Sequence, residues 1–308
     1  MLETGAGSGW KEGSERSIEE GPILLALDGT AGSLAAARVA NLLAHRWDTG
    51  LEAISAVEVP IPPDEGLVPD EVRREIRDSG LRSRWDHLEA QVSTLPRWRA
   101  GRPAEVRAGP PGRVIIEAAE RLGASLIVTG LGRRRPIDRF LGSSVPTSVV
   151  RLSTVPVLAV QRDRSDLPEE LVAAVDFSTF SRRAVCTLPR LASARARIHL
   201  LHVATLPLMG RSEWNDEYRR RATDRLGELA HALESQGTPP VSTRVLAGDP
   251  ATAILGYGRD RGADLIAVGS HGHSFVNRSL LGTVSGKLLR AADCSVLVVP
   301  PRDRGRVK

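Results

Sequence analysis

The 308-residue sequence contains itself twice. The segment that starts at Ala108, AGPPGRVIIEAAERLGASLIVTG, lies over the segment that starts at Ala247, AGDPATAILGYGRDRGADLIAVG, without a gap and at a constant shift of 139 residues. Gly109 falls on Gly248, Pro111 on Pro250 and Gly130 on Gly269, and the same shift sets RLSTVPVLAV from Arg151 over RAADCSVLVV from Arg290. Upstream, LLALDGTAGS from Leu24 resembles LVAAVDFSTFS from Leu171, so Asp28 matches Asp176. A repeat of this length is a duplicated domain rather than a short solenoid unit.

Within each copy, short apolar runs alternate with amphipathic stretches, the pattern of strands and helices in a parallel sheet. In copy two the strands are predicted at 171–175, 198–203, 241–246, 265–268 and 296–299, with a helix starting near Pro250 and ending near Gly262, and a last helix over 283–292. Copy one gives strands near 23–27, 51–57, 104–107, 126–129 and 157–160, with long helices centred on Val39 and Leu81. Strands this apolar need cover on both faces, which predicts an α/β chain of two tandem, doubly wound, five-stranded parallel-sheet domains. The expected boundaries are a disordered tail over 1–20, domain one over 21–161, a polar linker over 162–168, domain two over 169–302 and a short tail over 303–308.

Composition removes several function classes. The chain is 41% hydrophobic and 26% charged, ordinary for a globular protein, and no apolar run approaches the roughly 18 residues of a spanning helix. A polar, acidic start without a basic and then apolar segment does not read as a secretory signal, so a cytoplasmic location and no membrane partner are expected. The net charge of +5 comes from arginines interspersed with Asp and Glu, and the densest basic cluster is Arg133–Arg135, which argues against nucleic acid. Cys186 and Cys294 form no CxxC or Cys/His pair and are expected in the core.

In an open parallel sheet, ligands bind beyond the carboxyl ends of the strands, where the strand order reverses. There the second copy reads GSHGHSFVNRSLLGTVSGK from Gly269 to Lys287. Glycines at 269, 272 and 282 allow positive φ and let the backbone approach an anion. The helix start at Thr283 offers N–H groups with a partial positive charge, and Thr283 and Ser285 add hydroxyls. Glycine after a strand and threonine at a helix start also arise for conformational reasons alone. GTVSGKL is not a P-loop, because Leu281 and Leu288 stand where glycine and Ser/Thr belong, and neither first strand runs into GxGxxG. His271 and His273 form an HxH with His199 and His202 elsewhere, but no third ligand cluster converges, so no metal is expected. No GxSxG elbow organises a serine triad, and no catalytic residue is assigned.

The spacing G-x2-G-x9-G-[ST] over Gly269, Gly272 and Gly282-Thr283 resembles that of the ATP-binding branch of the universal stress (UspA-like) proteins, and the likeness runs from Gly21 to Pro301. The resemblance implies the adenine-nucleotide α-hydrolase-like fold and ATP, accompanied by Mg2+, as the ligand. It implies that Asp176 helps hold the adenosine end, that the Val203 backbone meets adenine, and that Gly269, Gly272, Gly282, Thr283, Val284 and Ser285 surround ribose and phosphates. A weaker site in copy one comprises Asp28, Val57, Gly130, Gly132, Gly142 and Ser143. There Arg133 stands in place of Gly272 unless the alignment is gapped, and Pro146 removes an N–H from the last helix. The apolar last strands, from Val155 and from Cys294, leave edges that invite pairing. The resemblance implies that the two copies pair through them as an intramolecular pseudo-dimer, with a homodimer and an unidentified protein partner as further expectations. The leading function is an ATP-binding regulatory module in a stress response, with at most slow ATP hydrolysis. The alternatives are a nucleotide-free interaction protein and an adenylating or ATP-hydrolysing enzyme of the wider fold group.

Overall fold

A computed structural model describes residues 21–58, 69–96, 98, 104–131, 144–205, 212–271 and 282–300. Copy one runs β1 (Ile23–Ala26), α1 (Ala31–Trp47), β2 (Leu51–Val57), α2 (Asp70–Val92), β3 (Glu105–Ala108), α3 (Pro111–Leu122), β4 (Leu126–Gly130), α4 (Val145–Leu152) and β5 (Val157–Val160). Copy two repeats it as β6 (Glu170–Ala174), α5 (Thr179–Leu191), β7 (Arg197–Ala204), α6 (Ser212–Glu234), β8 (Val241–Ala247), α7 (Pro250–Arg261), β9 (Leu265–Gly269), α8 (Thr283–Ala291) and β10 (Ser295–Val299). The tails at 1–20 and 303–308, Arg133–Arg135 and His273 lie outside the described residues.

The two sheets are one. Strand order is β3-β2-β1-β4-β5-β10-β9-β6-β7-β8, parallel within each copy and antiparallel only at the seam, where Val296 pairs with Ala159 and Val298 with Val157. The expected pairing of the last strands is therefore made within the chain, and it covers the apolar edge that each copy would otherwise expose. Consecutive strand residues serve opposite faces. Ile23 and Leu25 join a core with α1, α2, α5 and α6, while Leu24 and Ala26 join a second core with α3, α4, α7 and α8. Covering both faces is what demands the uninterrupted apolar strands.

Side chains reinforce the seam. The Arg46 guanidinium donates to the Ala192 carbonyl, the Trp47 indole donates to the Arg190 carbonyl at 3.0 Å, and Arg190 stacks over the Trp47 ring. The segment 162–168 is not a free tether. Arg164 pairs with Asp264, Leu167 packs on the core, and the nearly buried Asp264 carboxylate accepts from the Glu169 and Glu170 amides at 2.9 and 3.1 Å. Beneath it lies a cavity of about 310 Å³ lined by Val39, Leu43, Leu158 and Leu191, at the seam rather than at the carboxyl ends of the strands. No helix among the described residues is long and apolar enough to cross a membrane.

Candidate nucleotide site

In copy two the chain goes from β6 outward to β7 and β8, then returns to place β9 on the other side of β6, so the order reverses between β6 and β9. Crevices of this kind open between the loops that leave the two strands. Asp176 follows β6 and Gly269 ends β9, and the two loops touch: a β-carbon on Gly269 would lie 2.8 Å from Phe180 Cβ and 3.1 Å from the Ser181 amide. In copy one Gly130 meets Gly32 and Ser33 in the same way. Glycine at these two positions is thus required by the close passage of the following helix, whatever else the backbone does.

Asp176 is shaped as a turn. Its Oδ1 accepts from the Ser178 amide at 3.0 Å and the Ser178 hydroxyl at 2.6 Å, leaving Oδ2 with no hydrogen-bond partner among the described residues. Asp28 makes the same turn with Thr30. The residue after each aspartate has positive φ: Gly29 at 77° in copy one, but Phe177 at 65° in copy two. A non-glycine residue is held there only when its surroundings over-determine it. The Phe177 ring packs on His202 with centroids 4.7 Å apart, and the Arg225 guanidinium lies over the ring at 4.2 Å.

α8 starts at Thr283, and Gly282 comes so close to the end of β9 that its amide donates to the Ser270 carbonyl at 3.1 Å. A β-carbon at Gly282 would sit 2.7 Å from that oxygen. Neither Gly269 nor Gly282 has positive φ, so that expectation is corrected: the two glycines permit close approach, and the turn conformation lies elsewhere. Ser285 also departs from expectation. Its hydroxyl is buried and donates inward, with the Gly282 and Ser270 carbonyls at 3.0 and 3.3 Å, so it ties the loop to the helix instead of facing a ligand. What remains is backbone. α5 and α7 have side-chain caps, from Ser178 and Asp249, whereas α8 has none, and the first-turn amides of Thr283, Val284 and Ser285 have no partner among the described residues. Orphan donors at a helix start suit an anion. Gly272 lies outside the described residues, as do Gly132, Gly142 and Ser143 of copy one. Lys287 reaches 3.4 Å from Asp249, the α7 cap.

Val203 is half-buried near the end of β7. Alternate residues of a parallel strand bond to opposite neighbours. The Leu201 carbonyl accepts from Val175 on the β6 side and the Ala204 carbonyl accepts from Gly248 on the β8 side, so Val203 faces β6 beyond its last residue. Its N–H and C=O have no backbone partner there among the described residues. The same rule corrects copy one. The Val57 carbonyl accepts from Gly109 on the β3 side and the Ile54 carbonyl from Leu27, which makes Val57 the counterpart of Ala204 and Ala56 the counterpart of Val203. The shared prolines Pro60 and Pro207, 147 residues apart, carried that signal in the sequence.

The histidines are tied to other groups. His199 lies between Glu170 Oε2 at 2.9 Å and Ser242 Oγ at 2.7 Å, and His202 between the Val175 carbonyl at 2.7 Å and the Tyr218 hydroxyl at 2.8 Å. Among the described residues no three His, Cys, Asp or Glu side chains gather as metal ligands.

Comparison with known proteins gives concordant results. The family model described as "Universal stress protein family" matches residues 21–161 and again 169–300. A universal stress protein of Mycobacterium tuberculosis is 30% identical over 191 residues, covering 57% of this chain and 61% of the relative. The chain thus spans about three fifths of the length of the mycobacterial relatives it matches. A universal stress protein of Methanocaldococcus jannaschii is 30% identical over 145 residues, 47% of this chain and 84% of its own. Among solved structures, a universal stress protein from Archaeoglobus fulgidus superposes with a TM-score of 0.67 at 22% identity, covering 92% of this chain and 98% of that one, a likeness of fold.

Proposed function

The chain belongs to the universal stress protein family, and from that premise we propose that its second copy, residues 169–302, binds ATP and makes the protein an adenine-nucleotide-dependent regulatory module of a stress response. The observation that carries this reading is the uncapped start of α8, which lies over the loop leaving β9 at the crevice beside Asp176. Three first-turn amides without a partner among the described residues and a positive helix end match a polyphosphate without any basic side chain. In this reading Gly272, Gly282, Thr283, Val284 and Ser285 hold the phosphates through backbone N–H groups. Asp176, with its outer oxygen available, takes a ribose hydroxyl, and the Val203 backbone reads the base. Gly269 lets the walls of the crevice meet. A Mg2+ ion would arrive on the phosphates and offset their charge.

Domain one, 21–161, keeps the Asp28 turn and the Gly130 contact, and its base-reading position is Ala56. Pro146 deletes an amide from the first turn of α4, and the Ser144 hydroxyl is engaged with Thr147 at 2.9 Å. We assign this copy weak binding or a structural role. Occupancy rather than turnover is the output, read by a protein partner in the cytoplasm, and dimerisation of the whole chain belongs to the same proposal.

Titration calorimetry with ATP tests the reading. Gly282→Val, whose side chain fills the space beside the Ser270 carbonyl, is expected to weaken ATP binding at least about tenfold, equivalent to some 1.4 kcal/mol. Unchanged affinity in a folded Gly282→Val chain removes the loop from the site, and absence of ATP binding by the parent removes the function. Rapid release of AMP and pyrophosphate would instead favour the adenylating enzyme.

A further inference from the structure

Near the amino ends of the strands, away from the crevice, copy two brings a glutamate, a histidine and a serine together on three neighbouring strands. Val172 pairs with His199 and His199 with Ser242, so by alternation Glu170 of β6, His199 of β7 and Ser242 of β8 share the sheet face on which Tyr257 of α7 packs. His199 Nε2 is 2.9 Å from Glu170 Oε2, and Nδ1 is 2.7 Å from Ser242 Oγ. A carboxylate only accepts, so Nε2 of the neutral ring carries the proton and Nδ1 accepts from the Ser242 hydroxyl. Glu170 is anchored in turn, by Arg197 at 3.1 Å from its Oε1 and by the Asp264 carboxylate on its amide. His199 is only 5% exposed, whereas the serine that it holds is an exposed residue.

The strand that carries the serine is the last of the sheet. The Ile198 amide donates to the Pro240 carbonyl and the Gly248 amide to the Ala204 carbonyl, so the even-numbered residues of β8 bond to β7 and the Thr243 N–H turns to the open edge. That amide has no hydrogen-bond partner among the described residues. A free backbone N–H directly after a hydroxyl nucleophile is a donor for an oxyanion that forms on an attacked carbonyl. Copy one has none of this. Leu24 pairs with Glu52 as Val172 pairs with His199, which sets Glu52 in the place of the histidine and Pro22 in the place of Glu170. The sequence shows no GxSxG elbow, and three adjacent strands do the assembling instead.

We propose that Ser242, His199 and Glu170 form an acyl-transfer site that takes carboxylic esters and thioesters, separate from the nucleotide crevice and independent of it. Ser242 Oγ attacks the carbonyl carbon while its proton passes to His199 Nδ1, and the Thr243 N–H receives the charge that develops on the carbonyl oxygen. The bond to the alcohol or thiol then breaks as His199 returns the proton to that leaving group. Water repeats the sequence through the same base, which releases the carboxylic acid and restores the serine. Glu170 is a positioning residue: it keeps the proton on Nε2 and so the lone pair of Nδ1 on the serine side. Ser242 lies five residues, roughly 16 Å, from the carboxyl end of β8, so the two sites occupy opposite ends of the strands.

A fluorophosphonate probe and p-nitrophenyl acetate test this on the whole chain without nucleotide. The probe is expected to mark Ser242 in peptide mass spectrometry, with fluoride as the leaving group, and the ester is expected to release p-nitrophenol in a burst followed by slower turnover. Ser242→Ala is expected to lose both. His199→Gln can still accept from Ser242 and donate to Glu170 but is no base, and it is expected to slow labelling by about a hundredfold or more. In Glu170→Gln the midpoint of the labelling rate against pH is expected to move to lower pH, because the imidazole loses the carboxylate that favours its charged form. An unmarked Ser242 in the folded parent overturns the proposal, as does labelling of folded His199→Gln at the parent's rate. Ester turnover that survives Ser242→Ala also overturns it, and an unmoved midpoint removes Glu170 from its role. Should His199→Gln not fold, the parent and Ser242→Ala, which changes only an exposed residue, decide together.

Discussion

A methyl group on Gly269 would press on Phe180 Cβ at 2.8 Å and on the Ser181 amide at 3.1 Å, both at the start of α5 and unable to rotate away. Gly269→Ala is expected to destabilise copy two by about 1–3 kcal/mol, the usual cost of overpacking, measured by denaturant unfolding. Full stability in that variant would mean the β9 and α5 backbones are further apart than described. His202 carries a pH dependence. Burial lowers its pKa from the ordinary 6.5, and the nearby Arg225 acts in the same direction, against the Val175 carbonyl and Asp176, which raise it. A folded pKa below the unfolded one means the unfolded chain binds more protons in the interval between them. Stability from neutral His202 is thus whole above about 6.5 and is lost as pH falls from there through the folded value. Thermal unfolding between pH 7.5 and 5 is expected to show a fall that is smaller in His202→Gln. Burial pushes the Cys294 thiol up to about 12, so in the folded chain it is expected to resist iodoacetamide until denaturant is added. Mass spectrometry of the labelled peptides checks this. The glycines were legible in the sequence, but their reasons were not, because a period of apolar residues says nothing about which backbones pass within 3 Å of each other.

Three helix starts in copy two differ in how their amides are used. Ser178 caps α5 and Asp249 caps α7 with their side chains, whereas α8 has glycine at its cap position and no side-chain cap among the described residues. Lys287 lies one turn into α8, where a phosphate-binding lysine would be sought, yet it reaches toward Asp249. Lys287→Ala is therefore expected to leave ATP affinity within about twofold, because an exposed ion pair contributes little; a loss of tenfold or more in calorimetry would return the lysine to the phosphates. Element identity and order followed from the apolar runs, since strands buried on both faces leave a strong signal. Element ends did not. β6 stops at Ala174 and β1 at Ala26, each one residue before the expected end, and in both copies the next rung, from Val203 and from Ala56, is not made. Val57 lies one residue from Ala56, the register counterpart of Val203, because which edge of a strand a residue faces depends on register, and register is set by pairing across the sheet rather than by composition along it.

At the scale of the molecule, the duplication and the pairing of the last strands were both readable, the first from the repeat and the second from apolar edges that invite pairing together with the family resemblance. The docking of α1 on α5 through Arg46, Trp47 and Arg190 was not, since these residues look like ordinary polar helix ends. With β5 hydrogen-bonded to β10 and the cores of both copies continuous across them, the peptide between the halves should be dispensable for holding them together. A chain with a protease site inserted at 163–166 is expected to coelute as one species after cleavage in size-exclusion chromatography. Separate half-sized peaks would show that the covalent connection, not the seam, maintains the assembly. The antiparallel seam also fixes where messages can leave the protein. Strands of the two halves point opposite ways, so the two crevices open on opposite rims, and no single flat contact can sense both at once. Under the proposed function, a partner docked on one rim would read one crevice alone, and the other half would be left as a handle by which the same molecule can be held while it is read.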